Sequence, residues 1–384
     1  MSMRIALDGM PLGSKLTGVG HYTLELAESL AQVAPGDQFT LITPQSVSPS
    51  APAPLKRPLP ENLAHIQLKR GLKNRRWWSI GLPLYLRQNS FDLFHGTNYE
   101  IPLWWNRPSV VTIHDLSLLL HPDAHEPRLV RRARWRLPLM AQRAARIITP
   151  TQAIKSEVCS NLGIAPEKVV VTPEAPRRIF RRLDPEHTAE PRRRLGIEDN
   201  FILFVGTVEP RKNLQRLVQA FEQILRSTSL SPQLVIAGGE GWLMDDFSAA
   251  IKSRGLVDRI CLTGYLNDAD LCALYSACRA FVYPSLYEGF GLPLVEAMAC
   301  GAPVVTSDIP SIRETVENSA RCADPLSVDD LASAIIEMLA DENVNQHFSQ
   351  AGMKQVQRFS WAQTALKTWE VYREVQKQPQ AADS

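Results

Sequence analysis

Short apolar runs alternate with amphipathic helical patterns along this chain, and the alternation restricts the possible folds more than any other feature. In the first half, buried strands are predicted at Arg4–Met10, Phe39–Thr43, Ala64–Leu68, Leu93–Gly96, Val110–His114, Ile147–Pro150 and Val169–Pro173. Helices are predicted between them at about His21–Val33, Trp77–Gln88, Arg128–Arg146 and Ala153–Leu162. Strands that alternate with helices favour a parallel sheet built by right-handed crossovers. We therefore predict an α/β fold with a doubly wound sheet.

The alternation breaks once, between Pro173 and Asn200, where prolines and a dense set of arginines occur. A chain of 384 residues is longer than a usual single domain. We predict a first domain at 1–176, a linker at 177–199 and a second domain at 200–359.

The pattern starts again after the break. Strands are predicted at Phe201–Gly206, Leu234–Ala237, Ile260–Leu262, Phe281–Tyr283 and Val304–Thr306, each followed by a helical pattern. The second half is therefore predicted to be a second doubly wound parallel sheet.

Two carboxylates, Glu288 and Glu296, enclose a glycine-rich turn between a predicted strand and a predicted helix. Gly289 and Gly291 allow a ligand to approach the backbone, and Pro293 suits the first turn of a helix. The amides of Phe290, Gly291 and Leu292 then lie at a helix N-terminus, which favours an anion such as a phosphate. The amides can bind phosphates and the neighbouring carboxylates can bind hydroxyl groups. A nucleotide-sugar has both, so this turn suggests a nucleotide-sugar ligand. An ordinary strand-to-helix turn with two solvated glutamates is the alternative.

Two adjacent cations, Arg211 and Lys212, follow the first strand of the second half and precede a helix. In that position they would neutralise a diphosphate, whereas the alternative is a solvated basic turn.

Two features of the first half could also contact a ligand. Gly18 and Gly20 follow the first strand as a phosphate-binding turn would, although no third glycine completes a dinucleotide fingerprint and a plain tight turn is the alternative. His114, with Asp115, ends a strand at the carboxyl edge of the predicted sheet, where open α/β proteins bind ligands. A histidine there can also be a local hydrogen-bonding residue.

No metal site is predicted. Asp268 and Asp270 resemble the D-x-D of some sugar transferases, but they follow Asn267 at a predicted helix start, where helix capping explains them. His121 and His125 are four residues apart, and Pro122 between them argues against a continuous helix that would present both to a metal.

Charge and cysteine usage exclude further classes of protein. The net charge of +2 argues against a general nucleic-acid binder. The six cysteines form no C-x-x-C pair, so we expect reduced core thiols and a cytoplasmic protein. Neither a signal peptide nor an apolar segment long enough to span a membrane is evident.

Basic residues interleaved with tryptophan occur twice in the first half, at Lys69–Trp78 and within Arg128–Arg146. Such segments suit an interfacial helix on anionic lipid and predict peripheral contact with the inner face of the cytoplasmic membrane. The alternative is a solvated basic helix whose apolar face lies in the core.

Several motifs in order resemble a known family. They are Gly206–Asn213, Glu240-Gly241-Trp242, Gly264-Tyr265, the pair Glu288 and Glu296 with seven residues between them, and Cys300–Val305. Together they are similar to the retaining GT-B glycosyltransferases of family 4, especially the bacterial mannosyl- and rhamnosyltransferase branch. The first half matches more loosely, at Gly18-Val19-Gly20 and His114-Asp115. At Thr172–Pro176 the chain departs from the Asn-Gly turn of many members.

This resemblance implies two facing Rossmann-like domains, an acceptor-binding N-terminal one and a C-terminal one that binds a nucleotide-sugar donor. It also implies a terminal helix, 360–377, that crosses back to the first domain. Arg211 and Lys212 would bind the diphosphate with the amides of Phe290, Gly291 and Leu292, in a donor site that includes Gly206 and Thr207. Glu296 would bind the ribose and the backbone near Leu266 the base.

The remaining roles also follow from the resemblance. Glu288 would approach the sugar hydroxyls, and His114 would reach toward the C6 side of the sugar. Gly18 and Gly20 would close over the donor phosphates or line the acceptor cleft.

The expected activity is metal-independent, cofactor-free, retaining transfer of mannose or rhamnose from a GDP-sugar to a lipid-linked glycan, as in O-antigen assembly. Developing charge on the diphosphate would be met by fixed cations and amides. Alternatives are a soluble transferase or a sugar-nucleotide epimerase that uses another donor, and a non-catalytic nucleotide-sugar sensor.

Overall fold

The computed structural model describes residues 2–12, 16–44, 58–68, 76–239 and 244–377. It divides into two compact units, Met1–Glu174 with Phe359–Ser384 and Ala175–Arg358. Two sequence features singled out above fall outside the described residues. These are the basic stretch 69–75 and the motif Glu240-Gly241-Trp242.

The first unit contains a parallel sheet of seven strands in the order β3-β2-β1-β4-β5-β6-β7. All the pairings within this sheet are parallel. The strands are β1 (Arg4–Asp8), β2 (Gln38–Pro44), β3 (Leu63–Leu68), β4 (Leu93–Gly96), β5 (Ser109–Thr112), β6 (Arg146–Thr149) and β7 (Val169–Val171).

Helices lie between β1 and β2, β3 and β4, β5 and β6, and β6 and β7, as predicted. They are α1 (Gly18–Val33), α2 (Leu82–Gln88), α3 (Ser117–Leu120), α4 (Pro127–Arg143), α5 (Gln152–Leu162) and, after the second unit, α14 (Trp361–Lys377). A single π-helical turn, Trp77–Gly81, precedes α2, so the segment predicted as one helix has two parts.

The second unit contains a parallel sheet of six strands in the order β10-β9-β8-β11-β12-β13. The strands are β8 (Phe201–Val205), β9 (Gln233–Ala237), β10 (Ile260–Gly264), β11 (Ala280–Tyr283), β12 (Val304–Ser307) and β13 (Arg321–Ala323). The helices are α6 (Pro185–Arg194), α7 (Leu214–Ser227), α8 (Met244–Ser253), α9 (Asp268–Ala277), α10 (Leu292–Ala299), α11 (Pro310–Val316), α12 (Val328–Ala340) and α13 (Glu342–Val356).

The structure differs from the predicted linker. Residues 177–199 belong to the second unit, and they contain α6. Pro185 occupies the first turn of α6, where a missing N–H costs nothing, and three arginines occupy its last turn, where they complement the helix dipole. The proline and the run of arginines, which suggested a linker, are therefore compatible with a helix.

The start of α1 is also earlier than predicted. The helix begins at Gly18, so Gly18 and Gly20 lie in its first turn and not in a preceding loop. Gly20 is buried, and a Cβ there would lie 2.8 Å from the carbonyl oxygen of Pro11. This glycine therefore allows the close approach of two backbone segments.

The terminal helix α14 packs in the first unit. Tyr372 Oη lies 2.6 Å from His95 Nδ1, and Trp369 Nε1 donates to Asp37 Oδ2 at 2.7 Å. The hydroxyl of Thr364 donates to the carbonyl oxygen of Pro173 at 2.6 Å. Among the described residues, no helix is long and apolar enough to cross a membrane.

Candidate functional site

The turn after β11 takes the form that its glycines predict. Gly291 has φ 89° and precedes α10, whose first turn contains Pro293. A Cβ at Gly291 would lie 2.7 Å from Leu294 Cδ1, so both the backbone conformation and the available space favour glycine. The amides of Gly291 and Leu292 therefore lie at the N-terminus of α10, where partial positive charge favours an anion.

Glu288 contacts both predicted cations in this unit. Lys212 Nζ lies 2.5 Å from Glu288 Oε1, and Arg211 Nη1 lies 3.0 Å from Glu288 Oε2. The hydroxyl of Tyr283 donates to Glu288 Oε1 at 2.9 Å. Arg211 also pairs with Glu209 at 2.7 Å. The structure thus brings together three residues that the sequence had placed on two different loops.

Asn213 joins those two loops. Its φ of 61° ends the 3-10 helix Pro210–Lys212, and its side-chain amide donates to the carbonyl oxygen of Pro284 at 3.0 Å. The amide N–H of Leu286 donates to the carbonyl oxygen of Arg211 at 2.8 Å. β8 and β11 are neighbours in the sheet, so these contacts fix the cations next to the turn before α10.

Burial and charge act in opposite directions on Glu288. Burial raises the pKa of its carboxyl. The charges of Arg211 and Lys212 lower that pKa by a larger amount, and the result is a pKa of about 2. Burial and the charge of Arg211 lower the pKa of Lys212, while Glu288 and Glu209 act against this. The carboxylate is therefore ionised at neutral pH and pairs with the buried Lys212 and the half-buried Arg211.

Glu296 has a buried partner that the sequence analysis missed. Arg177 Nε lies 2.7 Å from Glu296 Oε1, and Arg177 Nη1 lies 2.6 Å from Asp268 Oδ1. The guanidinium carbon is 4.5 Å from the centre of the Phe180 ring. Burial lowers the pKa of Arg177, but its two carboxylate partners outweigh burial and raise it. Arg177 is one of seven arginines in the predicted linker, and nothing in the sequence distinguishes it from the other six.

The other donor-binding candidates lie at carboxyl ends of strands in the second sheet. Gly206 and the exposed Thr207 follow β8, and the half-buried Leu266 follows β10. Carboxyl ends of parallel strands share one edge of a sheet, so these residues lie at the same edge as Glu288.

His114 lies in the first unit, as do Gly18 and Gly20. Its Nδ1 lies 3.0 Å from Glu174 Oε1, and its Nε2 lies 2.9 Å from the carbonyl oxygen of Thr97. Burial lowers the pKa of His114, but the hydrogen bond and charge of Glu174 raise it, and the balance is a raised pKa. Both nitrogens therefore donate hydrogen bonds within the unit when the ring is protonated. Its predicted contact with the sugar stays a prediction.

The capping role of Asn267 is confirmed. Its side chain accepts a hydrogen bond from the amide of Asp270 at 2.9 Å, at the start of α9. Asp268 pairs with Arg177, and Asp270 with Arg194. Over the described parts of the chain, no group of three or more histidine, cysteine or acidic residues could hold a metal ion. The six cysteines are free, and three of them are buried.

Comparisons with known proteins agree with this architecture. Residues 188–355 match the family described as glycosyl transferases group 1, and residues 16–175 match glycosyltransferase family 4. O-antigen chain mannosyltransferase B of Escherichia coli is 30% identical over 387 residues, covering 97% of this chain and all of that protein.

Two solved structures are similar in fold. Sucrose-phosphate synthase from Thermosynechococcus elongatus has a TM-score of 0.78 at 23% identity, covering 97% of this chain and 99% of that one. WaaG, a glycosyltransferase involved in lipopolysaccharide biosynthesis, has a TM-score of 0.74 at 16% identity, covering 96% and 99%. Taken with the full-length relative, these similarities show that this protein has the GT-B fold and belongs to the mannosyltransferase branch of glycosyltransferase family 4.

Proposed function

We propose that this protein transfers mannose or its 6-deoxy form, rhamnose, from a GDP-sugar to a lipid-linked glycan during O-antigen synthesis, with retention of configuration. The observation that carries the proposal is the buried cluster of Arg211, Lys212 and Glu288 beside the N-terminus of α10. The name of the Escherichia coli relative, an O-antigen chain mannosyltransferase, supports the class of sugar and product.

The charges of the cluster suit cleavage of a sugar-diphosphate bond. Negative charge develops on the diphosphate as it leaves the anomeric carbon, and Arg211, Lys212 and the amides of α10 supply positive groups for it. Groups already held in place stabilise this charge without rearrangement during the reaction. We propose that these groups replace a metal ion and that no cofactor takes part.

Glu288 has two roles in this proposal. Its carboxylate keeps both cations in position, and it accepts a hydrogen bond from a hydroxyl of the donor sugar. We assign no general base to the enzyme, because a phosphate oxygen of the donor can help to deprotonate the acceptor on the face from which the diphosphate departs.

Carboxylates near the proposed nucleoside position favour GDP. Glu296 accepts hydrogen bonds from the ribose hydroxyls, and Asp268 follows the loop proposed to meet the base. The side chain of Asp268 is 40% exposed, although Oδ1 is paired with Arg177. Guanine presents two adjacent N–H donors on one edge, which suit a carboxylate, and uracil presents one.

Thermal shift with GDP, UDP and dTDP tests this assignment, because a ligand that binds the folded state raises its apparent stability. We expect GDP to raise the Tm without magnesium, and Asp268→Asn to reduce the preference for GDP over UDP. An increase seen only with a divalent metal would contradict the proposal.

Product analysis separates the alternatives. A transferase forms a new glycoside only when acceptor is present, whereas an epimerase converts the donor without acceptor. A non-catalytic sensor would bind donor without turnover, and Glu288→Ala would then change affinity alone.

Helix α4 supports the proposed membrane contact. Its apolar face, with Val130, Leu137 and Met140, is buried in the first unit, as the alternative interpretation expected. Its outer face nevertheless exposes Leu129 and Trp135, at 49% and 56%. The outer face also carries basic residues, of which Arg128, Arg131 and Arg134 have no ion-pair partner among the described residues.

Vesicle flotation tests this contact. Replacement of Arg128, Arg131 and Arg134 by Glu should weaken binding to phosphatidylglycerol vesicles by about 100-fold or more, since each basic residue near an anionic surface contributes about 1 kcal/mol. The matched control replaces the exposed Arg87, Lys367 and Lys377 of the same unit by Glu. Equal losses in both variants would mean that net charge, and not α4, mediates the binding.

A further inference from the structure

The order of strands in the sheet of the first unit changes direction between β1 and β4. From β1 the chain adds β2 and β3 on one side, and then β4 to β7 on the other. Open α/β sheets bind ligands at such a switch point, beyond the carboxyl ends of the two central strands. Asp8 ends β1, and Asn98 comes two residues after the end of β4.

Asp8 is a buried residue, 2% exposed, to which the described residues donate one hydrogen bond. Its Oδ1 accepts that bond from the amide of Met10 at 3.0 Å. Among the described residues, no group donates a hydrogen bond to Oδ2. An ionised carboxylate can accept several hydrogen bonds, so Oδ2 has capacity for a further donor.

Asn98 provides an independent sign at the same edge. Its side-chain oxygen Oδ1 is buried and has no hydrogen-bond partner among the described residues. Buried acceptors without a partner are rare in folded proteins and call for an explanation, such as a ligand that supplies the donor. Two neighbouring strand ends thus each carry an acceptor to which the described part of the chain donates no hydrogen bond.

A side-chain hydrogen bond from Thr97 links these two strand ends. Thr97 Oγ1 donates to the carbonyl oxygen of Asp8 at 2.9 Å. Immediately beyond, Tyr99 has φ 62°, and a Cβ at Gly96 would lie 1.9 Å from the carbonyl oxygen of Glu100. The turn after β4 is therefore tightly folded, and uncommon backbone conformations of this kind cluster at binding sites.

A purely structural role does not explain the charge of Asp8. The turn with Met10 needs only an acceptor oxygen, which asparagine supplies without a charge. Burial raises the pKa of Asp8 to about 7, although the Met10 amide lowers it, and the charge of Glu100 raises it further. A carboxylate at this position therefore costs stability above neutral pH, and a neutral residue of the same shape would avoid that cost.

We propose that Asp8 and Asn98 bind the acceptor glycan, with hydroxyl groups of its terminal sugar donating hydrogen bonds to Asp8 Oδ2 and Asn98 Oδ1. This inference rests on the proposed function and names the residues of the first unit that hold the acceptor. The contact is a binding contact, in which no proton is transferred. Sugars present adjacent hydroxyl donors, which two neighbouring acceptors match.

The proposal predicts a pH dependence, since protonation turns Asp8 Oδ2 from an acceptor into a donor. The charged group that acts on Asp8 is Glu100, which is itself paired with Arg132 and Arg136. On the adjacent strand β4, burial lowers the pKa of His95 to about 3, so this ring is neutral throughout the relevant range. Acceptor binding should therefore weaken as the pH falls through about 7.

The decisive variant is Asp8→Asn, which keeps an acceptor for the Met10 amide. Binding of octyl α-mannoside is measured by calorimetry between pH 6 and pH 9, and its KM is measured in transfer from GDP-mannose. At pH 8 we expect about 10- to 100-fold weaker binding, as for loss of a hydrogen bond to a charged group, and a flat pH profile. The Tm increase produced by GDP should stay as in the unmodified protein.

Two controls sharpen the measurement. Asp324→Asn removes the charge from a matched turn in the other unit, where Asp324 Oδ1 accepts from the amide of Leu326 at 2.8 Å, and should change nothing. Asn98→Ala should weaken acceptor binding without changing its pH dependence.

Each outcome decides the proposal. Unchanged mannoside binding and an unchanged pH profile in Asp8→Asn would reduce Asp8 to a turn residue and overturn it, as would failure of the unmodified protein to bind the mannoside. Absence of any transfer by a protein that still binds the mannoside through Asp8 would instead count against the proposed function. The two failures are thus distinguishable.

Discussion

Glu288 connects the chemistry of the second unit to its stability. The carboxylate neutralises the buried Lys212 and also pairs with Arg211, and a buried charge without a partner is strongly destabilising. The same two cations are the groups proposed to receive the diphosphate. One ion-pair cluster therefore both stabilises the folded state and preorganises the site.

Lys212→Ala should lower kcat by about 100- to 1000-fold with the fold retained, because it removes one fixed positive group from the transition state. Transfer assays with GDP-mannose measure kcat, and circular dichroism tests whether the fold is retained. Lys168→Ala is the matched control, since among the described residues Lys168 Nζ donates to the carbonyl oxygen of Gln142 alone, at the surface. Near-normal turnover in Lys212→Ala would remove this lysine from the mechanism.

Glu288 should also dominate the response to acid. Its pKa falls from 4.5 to about 2 on folding, so its contribution is present above pH 4.5 and is lost as the pH falls through about 2. A shift of this size corresponds to about 3 kcal/mol of unfolding free energy.

Urea unfolding between pH 7 and pH 2 measures this contribution. Glu288→Gln should be less stable than the unmodified protein at pH 7 and should lose less stability over the acid range. Parallel pH profiles of the two proteins would show that another group is responsible.

At the scale of elements, the turn between β11 and α10 was predictable because its signals are local. Two glycines, a proline in the first helical turn and the flanking glutamates stand within a few residues of each other. Helix α6 and strand β13 were not predicted, because proline and arginine in α6 are typical of a linker and the three residues of β13, Arg321–Ala323, do not form an apolar run. Short elements of this kind depend on neighbouring elements for their stability.

Gly291→Ala should destabilise the second unit by about 1–3 kcal/mol and weaken GDP binding. The new Cβ would combine an unfavourable backbone conformation with crowding against Leu294 and Ile312.

Gly163→Ala is the matched control for that substitution. Gly163 also has a positive φ, of 65°, but nothing lies within 4 Å of its Cβ position. Gly163→Ala should therefore lower the stability only through its unfavourable backbone conformation, with no effect on GDP binding. The readouts are thermal unfolding and calorimetric titration with GDP. Equal effects of both substitutions would contradict the crowding argument.

At the scale of the whole molecule, α14 is distant in sequence from the unit in which it packs. The helix packs on α1, and Tyr372 is fully buried beside His95. Deletion of 359–384 should therefore unfold or aggregate the first unit, because it exposes apolar surface and leaves Nδ1 of the buried His95 without its Tyr372 partner.

Hydrogen exchange on the truncated chain checks this expectation. Protection should disappear from β1 and β4 and persist in β8 and β11, since the second unit contains no part of the deleted segment. Tyr372→Phe is a milder test, with partial loss of protection in the first unit. Full protection of β1 in the truncated chain would show that α14 is dispensable for folding.

Residues close together in the chain encode the α/β alternation, the two parallel sheets and the glycine turn after Glu288. Long-range packing brings Arg177 to Glu296, 119 residues away, and places the loop residue Asn98, which follows β4, at the sheet edge where Asp8 ends β1. The physical reason is that such pairs depend on burial and strand order. Spacing along the chain carries no information about either.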